Sequence, residues 1–167
     1  MDNHDHTHVL HPTRIEIAPE IRGYVIQLLN QTLACTVDLR SQVKQAGWNV
    51  KGQEFSSLRP LFAIMASELE AYADLVAERI ATLGGVVRGT ARTAAVQSRL
   101  PEYPDAIVDG NAHVLVLAER FAHYATAMRS GIALAADVED ADSAAVYTDV
   151  SRGVDKRLWV LEAHLYH

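Results

Sequence analysis

The sequence has little of what defines several other classes of protein. A single cysteine, Cys35, among 167 residues excludes a domain stapled by intrachain disulfides, and it is typical of the reducing cytoplasm, where we expect the protein to act. No apolar run approaches the roughly 20 residues that a membrane-spanning helix needs, so we expect no membrane association. The beginning, MDNHDHTHVLHP, has neither the basic nor the apolar segment of a signal peptide.

Clusters of positive charge are also missing. Fifteen Lys and Arg residues stand against 21 Asp and Glu residues, which gives a net charge of −6. In residues 1–17, Arg14 is the only Lys or Arg. Because phosphate backbones attract proteins mainly through clustered cations, we do not expect direct DNA binding without bridging metal ions.

Glycine and proline are sparse, and the segments between them have the period of a helix rather than of a strand. The predicted long helices run from about residue 19 to the segment GWNVKG, from Ser56 or Ser57 to Gly84, from about 105 to 136 and from about 143 to the C-terminus. TARTAAVQ allows one short helix. This pattern predicts an all-α four-helix bundle over residues 18–167, after a flexible tail at 1–17, with Cys35 as a small buried residue.

The second predicted helix has two distinct faces. One is an apolar stripe for the bundle core. The other carries mostly small or acidic residues: Ala63, Ser67, Glu70, Ala71, Asp74, Ala77, Glu78 and Ala81. Small side chains let another helix approach closely. Two carboxylates four residues apart repel each other when buried, so Asp74 and Glu78 would need a cation, either a metal or an arginine. A solvent-exposed alanine-rich face is the alternative.

Three segments in order resemble one known family. KQAGWNVKGQEFSSL, AYADLVAERIATLGGVVRGT and SRGVDKRLWVLEAHL are similar to the Dps family, the dodecameric small members of the ferritin superfamily, and the resemblance covers almost the whole chain after residue 20. It implies twelve ferritin-like bundles around a hollow shell. Iron would enter through acidic pores, be oxidised by peroxide at sites between subunits and be stored as mineral.

The resemblance also implies a ligand set for those sites, and the chain departs from it. In the family one subunit gives two histidines and an aspartate, and its neighbour gives an aspartate and a glutamate. The second pair is present as Asp74 and Glu78, whereas Gly47, Arg59 and Ala63 stand in place of the first three ligands. We therefore expect the oxidation site to be lost or weak. Our hypothesis is that Arg59 pairs with Asp74 or Glu78 of a second copy.

One tryptophan and the histidines have also to be considered as site residues. Trp48 stands where the family has a tryptophan beside the metals, and a core or interface role is the alternative. Alternating histidines near the N-terminus can hold Zn or Cu, although a disordered polar tail explains them equally well: His4, His6 and His8, with His11 nearby. We assign no role to the remaining histidines, His113, His123, His164 and His167.

The turn DVEDADS is the last candidate site. In the family, acids at this turn line a threefold pore, and a solvated acidic loop is the alternative: Asp137, Glu139, Asp140 and Asp142.

Three functions remain open at this point. The first is a cage that sequesters iron or another divalent ion with a degraded oxidation site. The second is a working peroxide-dependent ferroxidase in which Glu54, Glu70 or a histidine replaces the missing ligands. The third is a structural shell without enzymatic activity, formed alone or with an active relative.

Overall fold

The computed structural model describes residues 10–166, and these form five helices. The helices are α1 (Pro19–Asn49), α2 (Phe55–Thr82), α3 (Ala91–Gln97), α4 (Gly110–Asp137) and α5 (Ala141–Ala163). In the described part of the chain there is no strand, only an isolated bridge between Lys51 and Asp109. The predicted all-α class, with four long helices and a short one, is confirmed.

The long helices form two hairpins. α1 packs along α2, and α4 packs along α5, while the connection from α2 to α4 carries α3 against α1. The apolar stripes of the four long helices meet in one core, which also buries Cys35 as expected. Glu68 on α2 clamps this arrangement, since its two carboxylate oxygens accept hydrogen bonds of 2.7 and 2.6 Å from Arg157 on α5. Each hairpin has a short connection, and the two hairpins pack their apolar faces together, as in a four-helix bundle.

Two helix starts differ from the prediction. α2 begins at Phe55, so Ser56 and Ser57 lie inside the helix, and no side chain caps its first turn. α4 begins only at Gly110, because the side chain of Asp109 accepts a hydrogen bond of 3.1 Å from the amide of Ala112 and fixes the start there. The predicted end of α2 is confirmed.

The segment before α1 is not a free tail where the structure describes it. Leu10 and Ile17 pack against the core, and the amide of His11 donates a 2.7 Å hydrogen bond to the carbonyl of Gly84. Gly84 has a φ of +82°, a left-handed conformation that ends α2 and turns this carbonyl toward the segment. The expectation of a flexible tail is therefore wrong for residues 10–17. Residues 1–9, with the predicted metal ligands His4, His6 and His8, lie outside the described residues.

Two glycines let tyrosine rings lie directly against helix backbones. A β-carbon at Gly131 on α4 would overlap the ring of Tyr147, and one at Gly153 on α5 would overlap the hydroxyl of Tyr72. Tyr147 is buried, and burial raises its pKa to about 12, so its hydroxyl stays neutral and shares a 2.9 Å hydrogen bond with Thr32. The close approach of the helices thus depends on the missing side chains.

Candidate metal centre

A surface cavity of about 490 Å³ lies between α1 and α2. Its wall contains all three positions at which a ligand was expected and not found, Gly47, Arg59 and Ala63, together with Trp48. Gly47 and Trp48 come from the last turn of α1, and Arg59 and Ala63 stand one turn apart near the beginning of α2. The structure therefore brings these four residues to one place.

Trp48 is not a core residue. Its side chain is 68% exposed, and the ammonium group of Lys44 lies 5.6 Å from the centre of its ring. A cation at this distance is attracted to the face of the indole. The core role is therefore excluded within the chain, and the ring forms one rim of the cavity.

The sequence prediction missed two cations of the cavity. Arg40 and Lys44 on α1 line it beside Arg59. Arg40 donates a 3.1 Å hydrogen bond to Glu70, the carboxylate of the cavity wall. Their signal was available, because residues 40, 44 and 48 are spaced by four and so share one face of a helix. Lys44 and Arg59 form no ion pair with any residue in 10–166, which leaves the cavity positively charged.

The two acids of the predicted site lie elsewhere on the same helix. Asp74 and Glu78 are exposed on α2 and have no ion-pair partner among the described residues. Asp74 comes eleven residues after Ala63, which places it about 16 Å further along the helix axis. The acid pair and the three substituted ligand positions therefore cannot form one site within one chain, although the cavity wall extends along α2 to Glu70, one turn from Asp74.

No other cluster takes over their role within the described chain. Over residues 10–166, no three His, Cys, Asp or Glu side chains stand close enough together to hold a metal ion. Of the substitute ligands considered, Glu70 reaches the cavity, whereas Glu54 lies at the start of α2 against Gly110.

Comparison with known proteins identifies the family. Residues 26–167 match the ferritin-like domain family. The DNA protection during starvation protein of Agrobacterium fabrum is 34% identical over 155 residues, which cover 93% of this chain and 96% of that protein. The chain belongs to the Dps family.

Solved Dps structures show the same fold. DpsC from Streptomyces coelicolor has a TM-score of 0.91 at 27% identity, covering 95% of this chain and 93% of its own. DpsA14 from the same organism has a TM-score of 0.88 at 28% identity, covering 95% of both chains. The predicted ferritin-like bundle and the Dps resemblance are therefore confirmed.

The arginine of the Dps-like run DLVAER has a structural task. Arg79 donates hydrogen bonds of 2.8 Å to the carboxylate of Asp140 and to the hydroxyl of Ser143. Asp140 also accepts the amide of Ser143 and caps α5, and its side chain is only 1% exposed. Asp140 was predicted as a pore carboxylate. That prediction is wrong, because the group is buried and its oxygens are already occupied.

The other acids of the turn are accessible. Asp137, Glu139 and Asp142 are exposed. Glu139 lines an open cavity of about 620 Å³ together with Asp149 and Arg152. Asp149 was missed because it lies two turns along α5, outside the acidic turn itself. The acidic surface therefore includes one side of α5.

His113 is the one described histidine that is fully buried. Its Nδ1 lies 2.6 Å from the hydroxyl of Tyr103, and the two rings stack. Burial lowers the pKa of His113, while the charge of Asp109 and a contact with the Ile107 carbonyl act in the opposite direction. This histidine is a core group that stays neutral.

Two of the other histidines are placed as well. His123 is exposed on α4, and the imidazole of His164 contacts the carbonyl of Val160. His167 lies outside the described residues. None of the helices that the structure describes is both long enough and apolar enough to cross a membrane.

Proposed function

We propose that this Dps-family chain assembles into a closed homo-oligomeric shell, a dodecamer, that takes up and sequesters iron in the cytoplasm and so protects the cell against peroxide. Iron is the cargo of this shell. Membership of the ferritin-like family supports the proposal, as do the exposed acids at the α4–α5 turn, which attract cations.

In this proposal the site between subunits no longer oxidises iron efficiently. The single observation that carries this point is the cavity: the positions of three missing ligands converge there, and Arg40, Lys44 and Arg59 surround them. A dinuclear centre needs several donors for each metal. Two carboxylates from one chain, facing a wall of cations, give a weak site, because fixed positive charge repels a second metal ion.

A working ferroxidase with a substitute ligand is the second candidate. Glu70 supports it, since its carboxylate is on the cavity wall. One oxygen of that carboxylate already accepts a hydrogen bond from Arg40, however, so a metal ion bound to Glu70 would lie beside a guanidinium that repels it. The third candidate, a shell without metal, differs from the first in retaining no iron.

Restoring the missing ligands tests the proposal. The variant Gly47→His, Arg59→His, Ala63→Asp should oxidise ferrous iron with added peroxide at least about tenfold faster than the parent, because each metal gains donors. Ferric absorbance after anaerobic mixing measures the rate. Arg92→His with Val96→His on the exposed surface of α3 controls for histidines added elsewhere.

The parent itself separates the three candidates. A parent as fast as the restored variant would contradict the proposal and favour a substitute ligand such as Glu70. A parent that retains no iron after loading and gel filtration, as measured by elemental analysis, would favour the shell without metal. Retained iron with slow oxidation is the result that we expect.

Two predictions about binding partners remain proposals. Zinc or copper binding at His4, His6 and His8 is one, and the absence of direct DNA binding without bridging metal ions is the other. The relative from Agrobacterium fabrum carries DNA protection in its name. In this chain, protection would come from removing iron.

A further inference from the structure

The cavity between α1 and α2 is open because small residues line it. They are Gly47 on α1 and Ala63, Ala66 and Ser67 on α2. Its floor is apolar, since Phe62 and Ala66 belong to the buried core. The volume of about 490 Å³ falls within the range of about 300–1,000 Å³ that is typical of pockets for small molecules.

The charge of the cavity wall is unbalanced. Three cationic side chains, Arg40, Lys44 and Arg59, line it together with one carboxylate, that of Glu70. Arg40 is paired with this carboxylate, whereas Lys44 and Arg59 have no ion pair among the described residues. Lys44 comes from α1 and Arg59 from α2, so each wall carries a cation that residues 10–166 leave unpaired. Cations placed in this way attract an anion and repel a metal ion.

Aromatic rings lie beside both of these cations. The indole of Trp48 is 68% exposed, and the ammonium group of Lys44 lies 5.6 Å from the centre of its ring. On α2 the guanidinium of Arg59 lies 5.8 Å from the centre of the exposed ring of Phe55. A flat ring in a ligand can therefore stack on the exposed indole while its acidic group meets a neighbouring cation.

We propose that the cavity binds a small aromatic acid, in which an anionic head group is attached to a flat apolar ring. The head group pairs with Lys44 and Arg59, and the ring lies on the apolar floor against Trp48. A bare ion would leave the floor uncovered, and a neutral ring would leave the two cations unpaired. The proposal goes beyond iron storage and does not depend on it, because every group in it belongs to one chain.

Matched ligands test the charge and the ring separately. In calorimetry with the parent, naphthoate should bind at least about tenfold more tightly than naphthalenemethanol, which has the same ring system without the charge. Naphthoate should also bind at least about tenfold more tightly than inorganic phosphate, which has charge without a ring. The proposal would be overturned by equal affinity for naphthoate and either of the other two, or by no binding of naphthoate.

Removing single cations tests the head group. Lys44→Gln and Arg59→Gln should each raise the dissociation constant of naphthoate by about tenfold, because each removes one charged partner. Arg92→Gln is the matched control, since it removes the same charge from the exposed surface of α3 and should leave the affinity unchanged. Circular dichroism shows that each variant remains helical. Full affinity in either cavity variant would contradict the proposal.

Two further variants test the place of the ring. Trp48→Ala should raise the dissociation constant of naphthoate by about tenfold. Trp159→Ala is the control, because the indole of Trp159 on α5 is equally exposed, at 67%, but does not line the cavity. Ala63→Leu keeps every charge and fills part of the cavity, so it should weaken binding by at least about tenfold. Unchanged affinity in Ala63→Leu would mean that the ligand lies outside the cavity.

The guanidinium of Arg59 is also the group that we expect to pair with Asp74 or Glu78 of a second copy, so those acids would compete with the ligand. Asp74→Asn with Glu78→Gln removes the competing carboxylates and should bind naphthoate at least as tightly as the parent. Weaker binding in this variant would count against a ligand on Arg59. The iron measurements are made without naphthoate, so either result can fail while the other stands.

Discussion

Two carboxylates near the end of α2 have opposite fates. Asp140 is buried against that end and accepts hydrogen bonds from Arg79 and Ser143, so all of its partners are in its own chain. Glu78 precedes Arg79 directly in sequence, but it points outward and has no ion-pair partner in the described residues. The neighbouring residues Glu78 and Arg79 thus differ in role. Arg79 forms an ion pair inside the folded chain, whereas the side chain of Glu78 faces the surroundings of the chain.

The difference separates stability from assembly. Removing one partner of a buried ion pair leaves an unpaired charge in the interior, which is costly. Removing an exposed charge costs the fold little, because water already solvates it. Charged groups that form ion pairs within the chain should therefore determine the free energy of unfolding. Charged groups that have no ion-pair partner in the chain should determine binding to other molecules.

The largest expected effect is at the buried pair. Arg79→Ala should lower the free energy of unfolding by about 3 kcal/mol, because Asp140 stays buried and loses its cation. Denaturant unfolding followed by circular dichroism measures the loss. Arg152→Ala, at an exposed arginine on α5, is the control and should change stability by less than about 0.5 kcal/mol. Equal losses in the two variants would break the comparison.

His113 adds a dependence on pH to the same comparison. Its pKa in the fold is lowered below the ordinary value of 6.5, so the unfolded chain binds its proton more readily. The stability that neutral His113 contributes is fully present above pH 6.5, the ordinary pKa that applies in the unfolded chain. It is lost as the pH falls from 6.5 through the lower pKa of the folded state.

The variant His113→Asn should therefore flatten the fall of stability with acid, by at most about 1.4 kcal/mol per pH unit. Asparagine does not titrate but can still bond to Tyr103. The slope of unfolding free energy against pH from 7.5 to 5 is the measurement, and it is independent of any constant loss from the altered packing. His123→Asn, on the exposed side of α4, should leave the slope close to that of the parent.

The smallest effect on the fold is expected at the exposed acids. Asp74→Asn with Glu78→Gln should leave the helical content of the chain unchanged, since neither carboxylate has an ion-pair partner in the described residues. Far-ultraviolet circular dichroism measures the helical content. A marked loss of helix would mean that these acids stabilise their own chain and would remove the distinction from Asp140.

Sequence periodicity predicted the bundle well, because burial of an apolar stripe determines both the pattern and the helix. Helix starts were less predictable, since capping depends on one side chain: Ser56 and Ser57 had the right chemistry but lie inside α2, whereas Asp109 caps α4 and Asp140 caps α5. The replacement of three ligands by Gly47, Arg59 and Ala63 was inferred from the resemblance and stays a prediction. The cations around them were only partly predictable. The spacing by four places Arg40 and Lys44 on the face of α1 that carries Trp48, but only the folded hairpin brings that face beside Arg59.

The two glycines that receive tyrosine rings limit how this protein can be made more heat-resistant. Replacing a glycine inside a helix by alanine usually gains about 0.5–1 kcal/mol, because the unfolded chain becomes less free. At Gly131 and Gly153 this gain is closed off, since the added methyl group would have to displace Tyr147 or Tyr72 and push two helices apart. At Gly23 on α1 the added carbon would lie within 4 Å of no atom of residues 10–166 beyond its chain neighbours and the adjacent backbone of its own helix, so an engineer should start there.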